Sequence, residues 1–507
     1  MPDTVEARVS ISTSPPIPFA QLLENLLEYP YGCAEQTTSR GFAALLLDAK
    51  TASQLGIAGL AAPVRRRRIE ATFSRLASLQ TSSGHFSFWG GDTQAYPILT
   101  PYIAEFLLDA RDDGFAVPEN MLQKTLERLN EDLLTGSAPF YGYDHRDHLR
   151  FAYQAHAGYV LARVNRAPLG TLRAIFDNDR GNAITPLPLL HLGIALDLQG
   201  DKARSRKAVA EAFAKPDKRP EYLGDYGTRV RDDALIVMLA RKHQLRAPQV
   251  DARLLALSQN LSARGDRYQW FSTQEQIALA RLGKALVATL DAKRVFEGTL
   301  TASGESSAVT ASRFISRKFI HAQLVAGATY ALRSSGPLYA TVEVAGIPRN
   351  RPAVDASRLS VSRSYYNTDG SLWKGKSLRE GQSLIVALTV EAGQPMPDAL
   401  LVDLLPAGLE IENLNLTPAE QWADITVDGV SLPERGSAAT LVHEEYRDDR
   451  YVAALKLEGG QARLFYLVRA VTPGTYVVPP PQLEDMYRPQ LRAVGKTPFE
   501  TIKVVPP

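Results

Sequence analysis

The sequence predicts a multidomain chain of mixed α and β class: one long helical section set between β segments, with a second, longer β region after it. Three observations carry that prediction. Helical periodicity runs almost without interruption from about Ile17 to Ala292, with apolar residues recurring three and four apart. From Val295 onward the texture changes to two-residue alternation, the period of half-buried strands. One isolated run of the same alternation, Val5, Ala7, Val9 and Ile11 against Glu6, Arg8, Ser10 and Ser12, stands ahead of the helices. A strand that short forms no domain alone, so its partners are expected far downstream.

In chain order, Leu22, Leu23, Leu26 and Leu27 mark the first helix, and Phe42, Leu45, Leu46 and Leu55 the next. Further helices are expected at Val64 to Leu79, Pro101 to Asp112, Asn120 to Leu134, Phe151 to Val164 and Leu187 to Gln199. The last four run Ala203 to Phe213, Val230 to Lys242, Asp251 to Leu261 and Thr273 to Leu282, with Gly, Pro and Asp in the connecting loops. Consecutive antiparallel helices with no strand between them predict a helical solenoid or a closed α/α toroid. Alternation at Phe296 to Ala302, Phe319 to Val325, Thr329 to Arg333 and Leu338 to Val344 then predicts a small β domain, which the strand near Val5 to Ser12 completes. Pro348 to Pro352 reads as a linker. Beyond Ala353, strands at Leu359 to Tyr366, Ser383 to Glu391, Ala399 to Leu405, Thr440 to Tyr446, Tyr451 to Leu457, Ala462 to Val471 and Gly474 to Val478 suit a β-sandwich. Pro479 to Pro489 is expected to be an exit loop before a last strand at Thr501 to Val505.

Composition narrows the function classes. Of 507 residues, 45% are hydrophobic, 8% aromatic and 22% charged, an ordinary folded-protein balance, and the length suggests about three domains. A formal net charge of +2 argues against a general nucleic-acid surface. No stretch approaches the ~20 apolar residues of a membrane span. Met1-Pro2-Asp3-Thr4-Val5-Glu6 has neither a basic start nor an apolar run, so no export signal is read there. A single cysteine rules out an intrachain disulfide framework without fixing the compartment. The doublets Asp112-Asp113, Asp232-Asp233 and Asp448-Asp449 each follow an Arg and lack clustered ligands, so they read as helix ends and turns, and no metal is expected.

The cysteine lies in Tyr29-Pro30-Tyr31-Gly32-Cys33-Ala34-Glu35-Gln36-Thr37-Thr38-Ser39. Cys33 and Gln36 are three apart, so in one helical turn or a tight bend their side chains share a face. A thiol so placed can attack the γ-carboxamide carbon of Gln36, expel ammonia and leave an internal thioester, an acyl group open to attack by an amine or by water. Glu35 is expected to assist proton movement during closure, and Gly32 after Pro30 to permit the tight turn. A lone cysteine in an apolar helix ordinarily packs as a small hydrophobe, and the spacing alone leaves both readings open. Cysteine-protease flanks are absent, as is a second Cys or His at metal-ligand spacing, so peptidase and zinc readings are weak.

Gly32-Cys33-Ala34-Glu35-Gln36 within that stretch closely resembles the thioester signature of the α-2-macroglobulin and complement family, in its bacterial form. Asp398 to Glu410 and Arg469 to Tyr476 look like the C-terminal macroglobulin domain of bacterial members, so the resemblance runs from end to end. It implies an α/α toroid thioester domain (15–292) inserted in a CUB-like β domain (1–14 and 293–350), followed by a macroglobulin-like sandwich (353–507). Ser83 to Trp89 resembles the family's loop before an outer helix. Because water would hydrolyse a thioester, the bond must be kept dry; Tyr31, Phe42, Trp89, Tyr141 and Tyr143 are the expected walls, and Met486 or Tyr487 the cover supplied by the C-terminal domain. His145, in the loop Phe140 to Arg150 with His148, is the candidate nucleophile or base assisting transfer.

The resemblance further implies a protease inhibitor rather than a turnover enzyme. A protease cuts a bait segment upstream, the thioester is uncovered, and a Lys amine of the attacker becomes linked to Gln36. The bait and other macroglobulin domains, and any signal, are then expected to lie outside this chain. No cofactor is implied beyond the Cys–Gln crosslink, no nucleic-acid partner, and the compartment is the periplasm or cell envelope. Two rivals remain at this point: a module that attaches itself covalently to host amines, and an α/α-toroid enzyme. The enzyme needs a zinc set or acid cluster at the barrel mouth, and the sequence displays neither.

Overall fold

The computed structural model describes residues 1–507 except 16, 56, 58, 91–94, 138–139, 141–143, 217, 246, 264–270, 291–292, 351–352, 376, 413–424 and 433–438. Two compact units divide the chain, Met1–Ile347 and Pro348–Pro507.

In the first unit, β1 (Glu6–Ser12), β2 (Phe296–Ala302), β3 (Glu305–Ser312), β4 (Phe314–Ile320), β5 (Ala328–Ser334) and β6 (Tyr339–Ala345) form two antiparallel sheets, ordered β4-β1-β6 and β3-β2-β5. The early strand finds its partners across the whole helical section, with Ser12 opposite both Phe314 and Tyr339. Leu300, Ala302 and Phe319 make the small core, joined by Val9 and Tyr330.

Between β1 and β2 run α1 (Ala20–Leu27), α2 (Ala34–Leu46), α3 (Ala49–Leu55), α4 (Ala62–Leu79), α5 (Thr100–Asp112), α6 (Glu119–Thr135), α7 (Arg146–Arg163), α8 (Leu169–Asp179), α9 (Pro186–Leu198), α10 (Lys202–Ala214), α11 (Arg229–Lys242), α12 (Gln249–Ala263) and α13 (Thr273–Ala288). Their starts carry helix-initiating chemistry. Pro63, Pro101 and Pro186 occupy the first turns of α4, α5 and α9, where a missing N–H costs nothing. Thr228 and Ser272 cap α11 and α13 through their side chains, and Glu275 completes a capping box at α13.

Alternate helices build a ring. α2 packs on α5, α5 on α7, α7 on α9, α9 on α11, α11 on α13, and α13 returns to α2. That last contact closes a toroid and excludes an open solenoid. α9 is apolar nearly all round: Leu189, Leu190, Leu192, Ile194 and Leu196 are each at most 2% exposed, and each contributes about 1.5–3 kcal/mol by burial. The outer helices are amphipathic; α4 buries Ile69, Phe73 and Leu76 and exposes Arg66, Arg67 and Glu70. α2 approaches its neighbours so closely that a Cβ at Gly41 would lie 2.7 Å from both the Phe106 ring and the Thr72 methyl.

Three local expectations fail. α8 was not foreseen, because Leu172, Ile175 and Phe176 supply too short an apolar stripe to stand out. The helix expected to continue from Phe42 to Leu55 breaks at Asp48, whose Oδ1 accepts from Thr51 N at 2.9 Å and restarts the chain as α3. The strand expected from Phe319 to Val325 stops at Ile320, where Gln323 Oε1 accepts the Ile320 N–H at 3.1 Å and opens a short helix, α14 (His321–Ala326).

The second unit is a sandwich. Its strands are β7 (Leu359–Tyr366), β8 (Leu378–Arg379), β9 (Ser383–Ala392), β10 (Met396–Leu404), β11 (Leu409–Glu412), β12 (Thr426–Val427), β13 (Val430–Ser431), β14 (Ala439–Tyr446), β15 (Arg450–Leu457), β16 (Gly460–Ala470), β17 (Gly474–Val477), β18 (Gln482–Asp485), β19 (Arg492–Val494) and β20 (Thr501–Val505). The sheets are ordered β14-β15-β10-β18-β19 and β11-β16-β9-β7, with small β17-β20-β8 and β12-β13 sheets beside them. Leu384, Val386, Leu388 and Val390 of β9 enter the main core, while Ile385 and Ala387 on the opposite face are covered by Val427 and Leu432. The segment expected as an exit loop contains β18, which pairs with β10 from Ala399↔Asp485 to Val402↔Gln482; its Pro-rich approach hid a short strand. Arg363 and Asp403 form a fully buried ion pair, and the Tyr466 hydroxyl donates to Asp403 at 2.7 Å. Among the described residues, no helix is long and apolar enough to cross a membrane.

Candidate functional site

Cys33 is the N-cap of α2, the first inner helix of the ring, with extended backbone at φ −66° and ψ 172°. Two reciprocal hydrogen bonds bind it to Gln36. The Gln36 N–H donates to Cys33 Sγ at 3.4 Å, and the Cys33 N–H donates to Gln36 Oε1 at 3.2 Å. This is a capping box built from a thiol and a carboxamide, and it folds the Gln36 side chain back toward the sulfur. Gln36 Nε2 donates to the Tyr29 hydroxyl at 3.2 Å, which fixes the carboxamide from its other end. Cys33 and Gln36 are both 0% exposed. The sulfur sits at the N-terminus of α2 with the Gln36 amide on it, so negative charge developing there meets the favourable end of the helix dipole.

Glu35 is also 0% exposed, and its carboxylate is engaged within α2 and by α13. Oε1 accepts from Ser39 Oγ at 2.5 Å and Gln274 Nε2 at 2.8 Å, and Oε2 accepts from Thr273 Oγ1 at 2.6 Å. Thr273 and Gln274 open α13, so Glu35 ties the first inner helix to the last where the ring closes. Ser39 Oγ lies 2.8 Å from the Tyr102 hydroxyl; since the serine proton goes to Glu35, Tyr102 donates here. Burial, with Glu35 nearby, pushes the Tyr102 phenol above its ordinary range and keeps it a donor.

The shield around the capping box comes from the loop before α5. Phe88 O accepts the Ala34 N–H at 2.7 Å. Arg75 of α4 donates to Gly32 O at 3.3 Å and to Trp89 O at 2.9 Å, pinning the turn before Cys33 to that loop. Phe88 and Trp89, both 4% exposed, meet edge to face at 5.7 Å, and Phe88 also packs against Tyr226 at 5.5 Å. Tyr31, 7% exposed, stands edge-on to Tyr29. Tyr31 and Trp89 therefore lie in the region around Cys33.

Other expected site residues fall elsewhere. Phe42 is nine residues along α2 from Cys33, about 13 Å at helical rise. It packs on Tyr102 and Phe106, with the Arg281 guanidinium 4.6 Å over its face, and so fills the ring interior. The segment Ser83 to Trp89 precedes α5, an inner helix rather than an outer one. His145 is exposed, with left-handed backbone at φ 59°, just before α7; no described hydrogen bond or ring contact joins it to Cys33 or Gln36. His148 is buried and accepts from Ile184 N at 3.0 Å. Tyr141 and Tyr143 lie outside the described residues. Met486 and Tyr487 belong to the second unit, buried in the turn after β18, where Asp485 Oδ1 accepts the Tyr487 and Arg488 N–H groups. Sequence reasoning missed Tyr29, Ser39, Arg75, Phe88, Thr273 and Gln274. Tyr29 and Ser39 carried a signal by sitting in the motif, and Phe88 by sitting in the Ser83 to Trp89 stretch.

A closed helical ring inserted between strands of a two-sheet β domain, with a Cys-x-x-Gln capping box at its first inner helix and a β-sandwich following, is the architecture of a macroglobulin's C-terminal part. Residues 359–490 match the family described as Bacterial Alpha-2-macroglobulin MG10 domain. The chain is 55% identical, over its whole length, to the alpha-2-macroglobulin of Xylella fastidiosa, of which it covers 31%. It is 36% identical to native Escherichia coli alpha-2-macroglobulin solved from domain MG7 to the C-terminus, at a TM-score of 0.90, covering 100% of this chain and 78% of that one. Against the trypsin-activated form of the E. coli protein, identity is 35% and the TM-score 0.50, covering 100% of this chain and 34% of that one. Salmonella alpha-2-macroglobulin reacted with methylamine is 35% identical at a TM-score of 0.89, covering 100% of this chain and 32% of that one. The chain belongs to the bacterial alpha-2-macroglobulin family. It spans about a third of the length of the curated relative it matches.

Proposed function

We propose that Cys33 and Gln36 form an internal thioester, and that this chain is the reactive portion of a broad-spectrum protease inhibitor. The carrying observation is the buried reciprocal capping box, which holds the thiol against the carboxamide at 0% exposure. Closure joins Cys33 Sγ to Gln36 Cδ and releases ammonia, with the thiol proton leaving on the amine. Capture reverses the polarity of the site. A Lys amine attacks the acyl carbon, an amide forms on Gln36, and Cys33 leaves as a thiol that recovers the proton. Each molecule acts once, because the amide regenerates no thioester.

Two relatives support the reading: the Salmonella protein reacts with methylamine, a small primary amine, and the E. coli protein is activated by trypsin. The trigger, cleavage of a bait segment, and the place of action, the periplasm or cell envelope, follow from the family. Intact mass before and after methylamine tests the proposal. The expected result is the translated mass less one ammonia, then a gain of one methylamine per chain. The full translated mass, unchanged by methylamine, would refute it.

A further inference from the structure

The interior of the helical ring holds a cavity open to solvent at its mouth and walled by α5, α7, α9, α11 and α13. Neither Cys33 nor Gln36 borders it. Much of the wall is apolar, from Leu99, Leu187, Leu235 and Met238. Its charges cancel within the wall: Glu105 pairs with Arg281 at 2.5 Å, and Arg231 with Asp225 and Asp232 at 2.7 Å each. An ion entering would find every countercharge already engaged, and burying it unpaired is costly.

Two polar side chains of the described wall, His191 and Thr185, make no side-chain hydrogen bond to a described residue. His191 of α9 is 5% exposed and lines the cavity, yet no described residue hydrogen-bonds its ring. It stacks on His156 at 4.4 Å and 11°, and His156 spends its own Nε2 on Glu105 at 3.3 Å. Burial, with His156 alongside, holds the His191 imidazole well below its ordinary pKa and therefore neutral at pH 7. A neutral imidazole offers one donor and one acceptor, and neither ring nitrogen of His191 is sealed from solvent, so both are open to a molecule in the cavity. A polar side chain without a protein partner on a largely apolar, concave wall is a usual element of a small-molecule site.

We propose that this cavity binds an uncharged, ring-sized molecule bearing a hydroxyl, of the phenol class, with the hydroxyl bonded to His191 and the ring among the leucines and Met238. The hydroxyl can donate to or accept from the imidazole, and a flat apolar body suits walls of Leu, Met and tyrosine rings. Titration of the full chain with phenol, followed by calorimetry, is the test, with benzoate and benzylammonium as charged analogues of similar size. Saturable binding of one phenol is expected. His191→Leu should weaken it about ten-fold, the loss of one buried hydrogen bond, and both ions should bind at least about ten-fold more weakly than phenol. Leu235→Phe, which fills the cavity from α11, should abolish binding and serves if the His191 variant does not fold. The proposal is overturned if phenol fails to saturate, if it binds both variants as it binds the parent, or if either ion binds as tightly.

Discussion

Replacing Glu35 with alanine measures what closes the ring. The substitution removes the acceptor for Thr273 Oγ1, Gln274 Nε2 and Ser39 Oγ, at 2.6, 2.8 and 2.5 Å. An orphaned buried donor costs about 1–3 kcal/mol. Gln274 borders the ring cavity and can turn to water, and Ser39 keeps Tyr102; Thr273 has no such recourse from Glu35. Removing the carboxylate also recovers part of its own desolvation. The expected loss is therefore about 1–3 kcal/mol, that of the one donor left without another partner. Denaturant unfolding of the full chain, followed by helical circular dichroism, reads it, with Cys33→Ala in both proteins so that no crosslink contributes. Glu35→Gln keeps one acceptor oxygen and should lose about half as much. A Glu35→Ala shift below about 0.5 kcal/mol, the scale of an ordinary surface change, would refute the clasp. So would a Glu35→Gln protein of parental stability that never closes the thioester, the behaviour of a proton carrier.

Three further outcomes follow from the same geometry. Gly41→Ala places a Cβ 2.7 Å from the Phe106 ring and the Thr72 methyl and should destabilise by about 1–3 kcal/mol, read as a lower unfolding midpoint. Gln36→Glu removes the ammonia leaving group, so intact mass should show no dehydration-type loss, no methylamine incorporation and a thiol at Cys33. His148 is held by burial at about 4 in the fold against about 6.5 unfolded, with Asp225 and Asp232 opposing and Arg219 and His145 reinforcing the shift. The unfolded chain takes the proton first, so this stability is present above pH 6.5 and is lost as pH falls toward 4, by at most about 3 kcal/mol. His148→Gln should flatten the stability-versus-pH curve in that window.

Much of this was legible in the sequence because it is written in local periodicity. The helical runs of α4 to α7 and α9 to α13 follow from apolar residues on a helical repeat, and β1 from a clean alternation. Cys33 and Gln36 stood out through the motif's resemblance to the family signature, because their spacing also fits a cysteine packed as a small hydrophobe. What the sequence concealed depends on distant contacts. Glu35 looked like a proton carrier because it neighbours Gln36, but its partners Thr273 and Gln274 lie across the closed ring. Phe42 looked like a wall because it is near in sequence, yet nine residues of helix carry it into the ring interior. The Arg75 guanidinium binds backbone carbonyls, and Phe88 accepts through its own carbonyl, so neither contact has a side-chain partner that a pattern could reveal. β18 was hidden because its four residues follow a proline run.

Peptide mapping of Tyr29 to Ser39 bears most directly on the covalent bridge. After methylamine, Gln36 should carry the methylamide and Cys33 should accept an alkylating reagent on unfolding, one per chain. Protein never exposed to an amine should yield no peptide in which an alkylated Cys33 coexists with an intact Gln36 carboxamide. Stoichiometric recovery of that peptide would contradict the account.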